Sequence, residues 1–413
     1  MSVDISAQSA RRFILGKHGL WPGRRWTGKD GTRSAMRAVE HLQLDPLVIV
    51  ARSHDLMLHA RVEAYRPEYF DQLTYQDREF FDWGGWLAVR PMDELPHWRV
   101  LMRRNAAFGR IKHSGDEHAD AIAEMRARLL AGERIANREL KGGEKLSSWS
   151  YRGTKEGSLA LYYLWRTGEA MTYERRGFER VYAATEAVAP PELLGDVDEH
   201  EAELFIARKE IAHQGIGRFK SMGILLGKSV SPIEHQALER ELVERGELTE
   251  VTVEGWKGTQ YIPSPDLPLL EAVARGEVPQ SWTPTGPSSL EQVAILSPLD
   301  PVSARGRAKT LFGFDYIWEI YKKPEDVKYG RFTMPILWGD QLVGRADLKT
   351  DRTKNTLVVN GVWFEDDSLA KDDGVATALT AGVVALSRLV GAAKIDAETV
   401  TDRTLKARLK KAK

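Results

Sequence analysis

The tripeptide Gln43-Leu44-Asp45 combines the residue types in this sequence that are best suited to chemistry. If it is extended, successive side chains point to opposite faces, so the amide and the carboxylate share one face while Leu44 points into the core. A single carboxylate beside a neutral amide suits a reaction whose leaving group needs no proton, because the carboxylate can hold water and stabilise a developing cation. Cleavage of a cationic, alkylated nucleobase from its sugar is such a reaction.

The same pair also has a purely structural interpretation. Asp is a common helix cap, so Asp45 could cap a following helix while Gln43 is a solvated polar residue. The tripeptide alone therefore leaves both interpretations open.

Composition excludes several other chemistries. The chain has 413 residues, enough for several domains, and it contains no Cys, which is typical of a reducing compartment and removes thiolate metal sites and Cys nucleophiles from consideration. His41, His54 and His59 are not spaced as an obvious ligand set, so we predict no metal and no cofactor. No signal-like segment and no apolar run of roughly 20 residues occurs, so we expect a cytoplasmic protein without a membrane span. We also expect a monomer.

Charge is segregated along the chain although the formal net charge is zero. The segment 9–37 contains one acidic residue, Asp30, and the basic residues Arg11, Arg12, Lys17, Arg24, Arg25, Lys29, Arg33 and Arg37, with Trp21 and Trp26 among them. Basic residues near aromatic rings can neutralise phosphates and stack on bases, so we predict that Arg24, Arg25, Lys29 and Arg37 bind DNA. A solvated surface without a partner is the alternative.

The elements that would position these residues read as small helical units, each ending in a β-hairpin. The clearest signal is Ser231-Pro232-Ile233-Glu234, a capping box with proline at the first helical position. Strand-like residues 248–253 and 259–262 follow it around a Gly-containing turn, which predicts a winged helix. A helix from Lys155, then strand-like residues 169–175 and 178–182, predicts another.

We therefore predict an α+β fold of tandem winged-helix (helix-turn-helix) motifs followed by a small, barrel-like, β-rich C-terminal domain with a covering helix. The predicted boundaries are 1–120 for the first winged helix, which carries Gln43 and Asp45, and 121–200 and 201–263 for the second and third. Prolines recur in 264–289, which is typical of a linker. Residues 290–413 form the C-terminal domain, with strands near 332–337, 341–348 and 356–364, a helix near 376–390 and a basic tail.

Three separated blocks of this sequence occur in an order and spacing that one protein family shares. They comprise residues 42–54, 65–68 and 77–83, then 176–182, and finally 297–300, 311–316, 335–337 and 339–349. On these residues the chain resembles the YcaQ-type (AlkX/AlkZ-like) winged-helix crosslink-repair DNA glycosylases, whose signature is Gln, an apolar residue, then Asp or Gln. The resemblance extends from about residue 10 to about residue 365. The chain departs from the family at Gly85, where a His is expected shortly after the tryptophan that Trp83 matches.

The resemblance implies a monofunctional glycosylase that releases N7-alkylated purines from double-stranded DNA and unhooks interstrand crosslinks. It implies that Asp45 and Gln43 are catalytic. Arg52 and His54 lie in the matching block and, with Lys155, are further predicted DNA contacts, although a hydrogen-bonded histidine of a helix is the default interpretation of His54. The competing function is a non-catalytic winged-helix DNA-binding protein, a regulator or a degenerate paralogue. Gln43 and Asp45 favour the enzyme, and Gly85 favours the binding protein.

Overall fold

The computed structural model describes residues 3–84, 87–107, 109–140, 155–218, 226, 228, 230–366 and 368–412. The N-terminal part places short strands between helices, and a three-stranded antiparallel sheet, ordered β3-β6-β5, holds Gln43. Its elements are β1 Val3–Ile5, α1 Ala7–Lys17, β2 Trp26–Thr27, α2 Gly28–Ala38, β3 Leu42–Gln43, α3 Ser53–His59, β4 Val62–Glu63, α4 Pro67–Asp71, a π-helical turn Gln72–Gln76, β5 Phe80–Trp83, β6 Ala88–Pro91 and α5 Leu95–Ala107.

The middle of the chain repeats an arrangement of helices followed by an antiparallel hairpin. Its elements are α6 Gly109–Glu117, α7 Ala119–Leu130, β7 Ile135–Ala136, α8 Glu156–Thr167, β8 Ala170–Arg176, β9 Glu179–Ala184, α9 Glu199–Gln214, α10 Pro232–Glu244, β10 Leu248–Val253 and β11 Gln260–Pro263. The predicted capping box forms at the start of α10, where Ser231 and Glu234 cap each other's backbone N–H groups. Residues 141–154 and most of 219–229, which fall in the predicted second and third winged helices, lie outside the described residues.

The C-terminal part is built on a curled five-stranded sheet, ordered β12-β13-β14-β15-β16, and a long helix covers it. Its elements are α11 Leu267–Ala274, β12 Ala294–Ile295, α12 Arg307–Phe312, β13 Thr333–Trp338, β14 Gln341–Asp351, β15 Thr356–Phe364, α13 Asp373–Leu389, β16 Lys394–Asp396 and α14 Arg403–Lys411. The predicted strands and covering helix are thus present. Apolar residues of α13 such as Leu379 and Val383 are buried against Met334 and Val359 of the sheet.

Contacts between distant segments cross the predicted domain boundaries. Strand β1 pairs in parallel with β10, so the first residues of the chain extend the sheet of the predicted third unit. The predicted linker 264–289 contains α11, and Trp282 packs on Phe13 of α1 with ring centroids 6.1 Å apart. This proline-rich segment therefore contains a short helix and a buried tryptophan, whereas a linker would be exposed. The boundaries themselves stay a prediction.

A buried ion pair joins the N-terminal and C-terminal parts. Arg61 donates two hydrogen bonds to Asp300, at 2.7 and 2.9 Å, and both side chains are fully buried. Asp300 also accepts the Val302 N–H, and Arg61 also donates to the Met57 carbonyl, so further hydrogen-bonding groups surround the pair. In the described part of the chain, no helix is long and apolar enough to cross a membrane.

Candidate active site

The backbone around Gln43 and Asp45 has the alternation that the tripeptide predicts. Gln43 pairs with Ala88 of β6, and the Leu44 N–H donates to the Leu87 carbonyl at 2.9 Å, which extends the pairing by one residue. Leu42 and Leu44 are buried, while Gln43 and Asp45 are half-buried. The two polar side chains thus leave the same edge of a small, well-anchored sheet.

Asp45 does not cap a helix. Its carboxylate accepts the Leu47 N–H at 2.9 Å, a turn that Pro46 favours, and the next helix, α3, begins only at Ser53. Burial raises the pKa of Asp45 above its ordinary value of 3.8, and the Leu47 hydrogen bond opposes that shift. Among the described residues Asp45 has no ion-pair partner, so its negative charge is uncompensated.

Gln43 is held by a residue far away in the sequence. Its carboxamide oxygen accepts a hydrogen bond of 2.6 Å from Arg305, which lies 262 residues away. Arg305 precedes α12 and has a φ of 52°, a left-handed backbone conformation that costs an L residue about 1 kcal/mol or more. With its oxygen engaged, Gln43 can turn its amide N–H group towards a ligand.

Asp45 lines a cleft of about 500 Å³. Segment 44–54 forms one part of its wall, α4 and the π-helical turn that follows form another, and the β8–β9 hairpin forms the rest. The wall is largely apolar and aromatic, and its rings belong to Phe70, Tyr75 and Phe178. Gln43 is not among the lining residues that the structure describes.

The two arginines of the cleft are already paired with carboxylates. Arg52 donates to Asp55 at 2.6 and 3.1 Å and to Asp71 at 2.9 and 3.2 Å. Arg175 donates to the fully buried Asp82 at 2.7 Å. Although burial raises the pKa of Asp82, Arg175 and the neighbouring Arg180 outweigh it and hold that pKa at about 2. Both pairs therefore brace the wall of the cleft, and Arg52 stays a predicted DNA contact.

His54 lies in the same wall, inside α3, and is only 4% exposed. Its ring centroid is 4.3 Å from that of Phe70, and neither ring nitrogen has a hydrogen-bond partner among the described residues. Burial lowers the pKa of His54 well below its ordinary value, and the cations Arg52 and Arg175 lower it further. The imidazole is therefore neutral, and it differs from the hydrogen-bonded helix histidine that the sequence allowed.

Arg24 and Arg25, predicted as DNA contacts, are directed into the protein. Arg24 donates to Glu63 at 3.2 Å. Arg25 donates to two carbonyl oxygens at the end of α1, and its guanidinium lies 4.1 Å from the ring centroid of Trp26. Burial lowers the pKa of Arg25 to about 10. These contacts give both residues structural roles, and DNA binding by them stays a prediction.

Lys29, Arg37 and Lys155 also make contacts within the chain, but the first two are more accessible. Lys29 lies 2.7 Å from Asp77, and Arg37 lies 3.0 Å from Asp93 in a pair whose side chains are 45% and 60% exposed. The Lys155 ammonium donates to the main-chain carbonyl oxygen of Leu140. Pairs as exposed as that of Arg37 exchange readily with phosphate, so Lys29 and Arg37 are the better placed of the predicted DNA contacts.

Sequence reasoning missed Arg305, Arg175 and Asp82. Asp82 lies in one of the blocks on which the resemblance rests, and Arg175 lies one residue before another. The two residues are 93 positions apart, so no local feature of the sequence indicates that they pair. Arg305 carries a weak signal, because it directly precedes a glycine at a helix start. Gly85 lies outside the described residues. In the described part of the chain no cluster of three His, Asp or Glu residues could hold a metal ion.

The chain belongs to the AlkZ-like DNA glycosylase family, because the sequence model of that family, described as DNA glycosylase AlkZ-like, matches residues 36–389. This confirms the resemblance seen in the sequence. Among solved structures, the chain is similar to the Streptomyces sahachiroi DNA glycosylase AlkZ, with a TM-score of 0.62 and 15% sequence identity over 97% of this chain and 99% of that one. At 15% identity, this similarity shows that the two proteins share a mixed α and β fold.

Proposed function

We propose that the protein is a monofunctional DNA glycosylase that hydrolyses the N-glycosidic bond of cationic N7-alkylated purines and unhooks interstrand crosslinks. The observation that carries the proposal is Asp45, a half-buried carboxylate that has no ion-pair partner among the described residues and lies in the wall of a cleft. Membership of the AlkZ-like family supports it. The proposed enzyme uses no cofactor or metal and acts as a monomer on double-stranded DNA.

The chemistry of the lesion explains why one carboxylate is enough. Alkylation at N7 leaves the purine cationic, so the base departs as a neutral molecule and needs no general acid. As the bond breaks, positive charge develops on the sugar, and the uncompensated carboxylate of Asp45 stabilises that charge. Burial raises the pKa of Asp45, which makes the carboxylate a better base for the attacking water than an exposed Asp.

Gln43 has the proposed role of positioning. Its oxygen is occupied by Arg305, which fixes the orientation of the carboxamide and leaves its N–H group for a sugar oxygen, a phosphate oxygen or the attacking water. Because the amide is neutral, it contributes less to stabilising the cation than Asp45 does.

Strand cleavage is not part of the proposed reaction. A glycosylase that also cuts the backbone uses an amine to form a Schiff base with the sugar. None of the described residues that line the cleft is a lysine. Water is therefore the proposed nucleophile, and an abasic site is the proposed product.

DNA binding is assigned to the helix-and-hairpin units. We propose that α8 with β8 and β9, and α9 and α10 with β10 and β11, are winged helices, as is the N-terminal unit. Each unit follows helices with an antiparallel hairpin, the order that this motif has. The β8–β9 hairpin also forms part of the cleft wall, which would bring one wing next to Asp45.

Single-turnover excision from three duplexes of one sequence tests this function. The duplexes carry 7-methylguanine, a nitrogen-mustard crosslink or uracil. We expect release of the first two and no release of uracil, because the uncharged base is not activated for departure. Release of uracil would contradict the mechanism. Binding of all three duplexes without release of any base would instead support the non-catalytic DNA-binding protein.

A further inference from the structure

His54 is a buried polar residue that the proposed mechanism does not use. It is 4% exposed, lines the cleft with Asp45, and has no hydrogen-bond partner on either ring nitrogen among the described residues. Leaving a buried polar group unpaired costs about 1–3 kcal/mol. A histidine with only a structural role would be expected to satisfy at least one of its two nitrogens.

Packing fixes the direction of this imidazole. The ring lies against Phe70, with centroids 4.3 Å apart and an angle of 39° between the ring planes. Its position inside α3 is anchored by the neighbouring Asp55, which accepts hydrogen bonds from Arg52 and Tyr65. His54 is thus held in place without using its own hydrogen-bonding groups, and both ring nitrogens are buried and unsatisfied among the described residues.

The charges around the cleft indicate what kind of ligand fits. Arg52 pairs with Asp55 and Asp71, and Glu174 pairs with Arg176. Arg175 pairs with Asp82, a carboxylate that it shares with Arg180 outside the cleft lining. Among the charged lining residues that the structure describes, this leaves Asp45 without an ion-pair partner. The uncompensated charge is negative, so a cation is favoured over a phosphate.

The remaining surface favours a flat ligand with a polar edge. Phe70, Tyr75 and Phe178 contribute aromatic rings to the wall, and aromatic rings attract cationic ones. Because a neutral imidazole can present either a donor or an acceptor, it can pair with the carbonyl edge of a guanine or the amino edge of an adenine. A cationic purine combines these properties.

We propose that the cleft is a binding site for the damaged base itself, and that His54 is a substrate-contacting residue that forms a hydrogen bond with the edge of the alkylated purine. This inference rests on the proposed function and deepens it. Asp45 would act on the sugar while His54 and the aromatic wall hold the leaving base. His54 therefore contributes to recognition of the base and does not contribute to binding of the backbone.

Binding to two duplexes tests the inference without catalysis. One duplex carries 2′-fluoro-7-methyldeoxyguanosine, whose fluorine destabilises the sugar cation and prevents excision. The other carries a tetrahydrofuran abasic analogue at the same position. We expect wild type to prefer the base-containing duplex, and His54→Phe to bind that duplex about tenfold more weakly, the equivalent of one lost hydrogen bond. Its affinity for the abasic duplex should not change.

Two further variants control the comparison. His54→Gln keeps a donor and an acceptor and should recover part of the lost affinity. His97→Phe replaces another histidine that is stacked on a phenylalanine, Phe205, but lies outside the described cleft lining, and it should bind both duplexes as wild type does. An equal loss on both duplexes for His54→Phe, or no loss on either, would overturn the proposal.

Thermal unfolding separates recognition from a structural role. His54→Phe retains the ring on Phe70 and removes an unpaired polar group, so its Tm without DNA should equal or exceed that of wild type. A clearly lower Tm would mean that His54 stabilises the fold, and the proposal would fail. Failure of the glycosylase proposal is distinguishable, since it is judged by release of natural 7-methylguanine and the binding comparison needs no turnover.

Discussion

At the scale of single residues, the site consists of one charge in a largely neutralised wall. Within the described part of the chain, the Leu47 N–H is the one hydrogen-bond partner of Asp45, whereas Arg52 and Arg175 each contact carboxylates of the protein. A carboxylate that is partly buried and unpaired is a functional-site candidate, because burying it without a partner costs stability. The same contrast explains why residues that are basic in the sequence are not automatically available to DNA.

Gln43 and Arg305 should act as one unit. Gln43→Ala and Arg305→Ala should each reduce single-turnover release of 7-methylguanine by a few-fold, less than loss of the Asp45 charge, because both act by orienting a neutral amide. The double mutant should be little worse than either single mutant, since contacting residues couple. Lys309→Ala, an exposed residue of α12, is the control and should retain full activity. Fully additive losses would show that Arg305 does not act through Gln43.

What could be predicted at this scale was local. The alternation of Gln43, Leu44 and Asp45 follows from backbone geometry over three residues, and the structure has it. The Arg305 contact joins residues 262 positions apart, so neither periodicity nor spacing could indicate it. The raised pKa of Asp45 likewise depends on burial by segments that the tripeptide does not contain.

At the scale of secondary-structure elements, the buried ion pair between Arg61 and Asp300 joins two distant segments. Arg61 lies just after α3, and Asp300 lies in the segment before α12. Asp300→Asn would leave the charged Arg61 in a fully buried position without a counter-charge, so we expect a loss of about 3–5 kcal/mol in the free energy of unfolding. Denaturant unfolding measures it. Glu277→Gln, which breaks the exposed pair with Arg275, is the control and should leave the midpoint nearly unchanged. A loss no larger than that control would contradict the structural role of Asp300.

The basic N-terminal segment allows a test of DNA contact that separates accessible from buried cations. Replacing Lys29 and Arg37 together by Ala should weaken binding to any duplex and reduce the slope of log affinity against log salt by about 0.9 per lost phosphate contact. Arg275→Ala, an exposed cation elsewhere, should not change the slope. Arg25→Ala should mainly lower the Tm, because that side chain packs on Trp26. An unchanged slope in the double mutant would show that these residues face away from DNA.

Element prediction succeeded where one segment contains its own signal. The capping box at Ser231 and the alternating strands near residues 333–364 are such cases. It failed where an element depends on a remote partner. Strand β1 is three residues long and forms by pairing with β10. The proline-rich segment 264–289 is anchored by Trp282, which packs against Phe13 of α1.

At the scale of the whole molecule, buried charges in the interior link stability to pH. Burial raises the pKa of Glu210 from its ordinary 4.5 to about 7, against the opposing effects of Gln214 and nearby arginines. The folded protein therefore keeps a proton that the unfolded chain releases between those pH values, so the free energy of unfolding falls as pH rises through this window.

Glu210→Gln should remove that dependence. The variant keeps an acceptor for Gln214 and carries no charge, so its stability should change less between pH 4.5 and 7 and exceed that of wild type at pH 8, by up to about 3 kcal/mol. Unfolding across this pH range measures it, and Glu244→Gln, an exposed glutamate, should retain the wild-type profile. A variant that is less stable than wild type at pH 8 would mean that the Glu210 charge stabilises the fold.

The central claim, that Asp45 catalyses release of cationic bases, is tested most directly by single-turnover excision of 7-methylguanine. Asp45→Asn should lower the rate by roughly 100-fold or more while DNA affinity stays within about threefold, because the charge acts on the transition state. Asp366→Asn is the matched control. Like Asp45, Asp366 accepts the backbone N–H of the residue two positions later, Ser368, but it is exposed and lies outside the described cleft lining. This variant should retain full activity. An Asp45→Asn protein that releases 7-methylguanine at the wild-type rate would contradict the account.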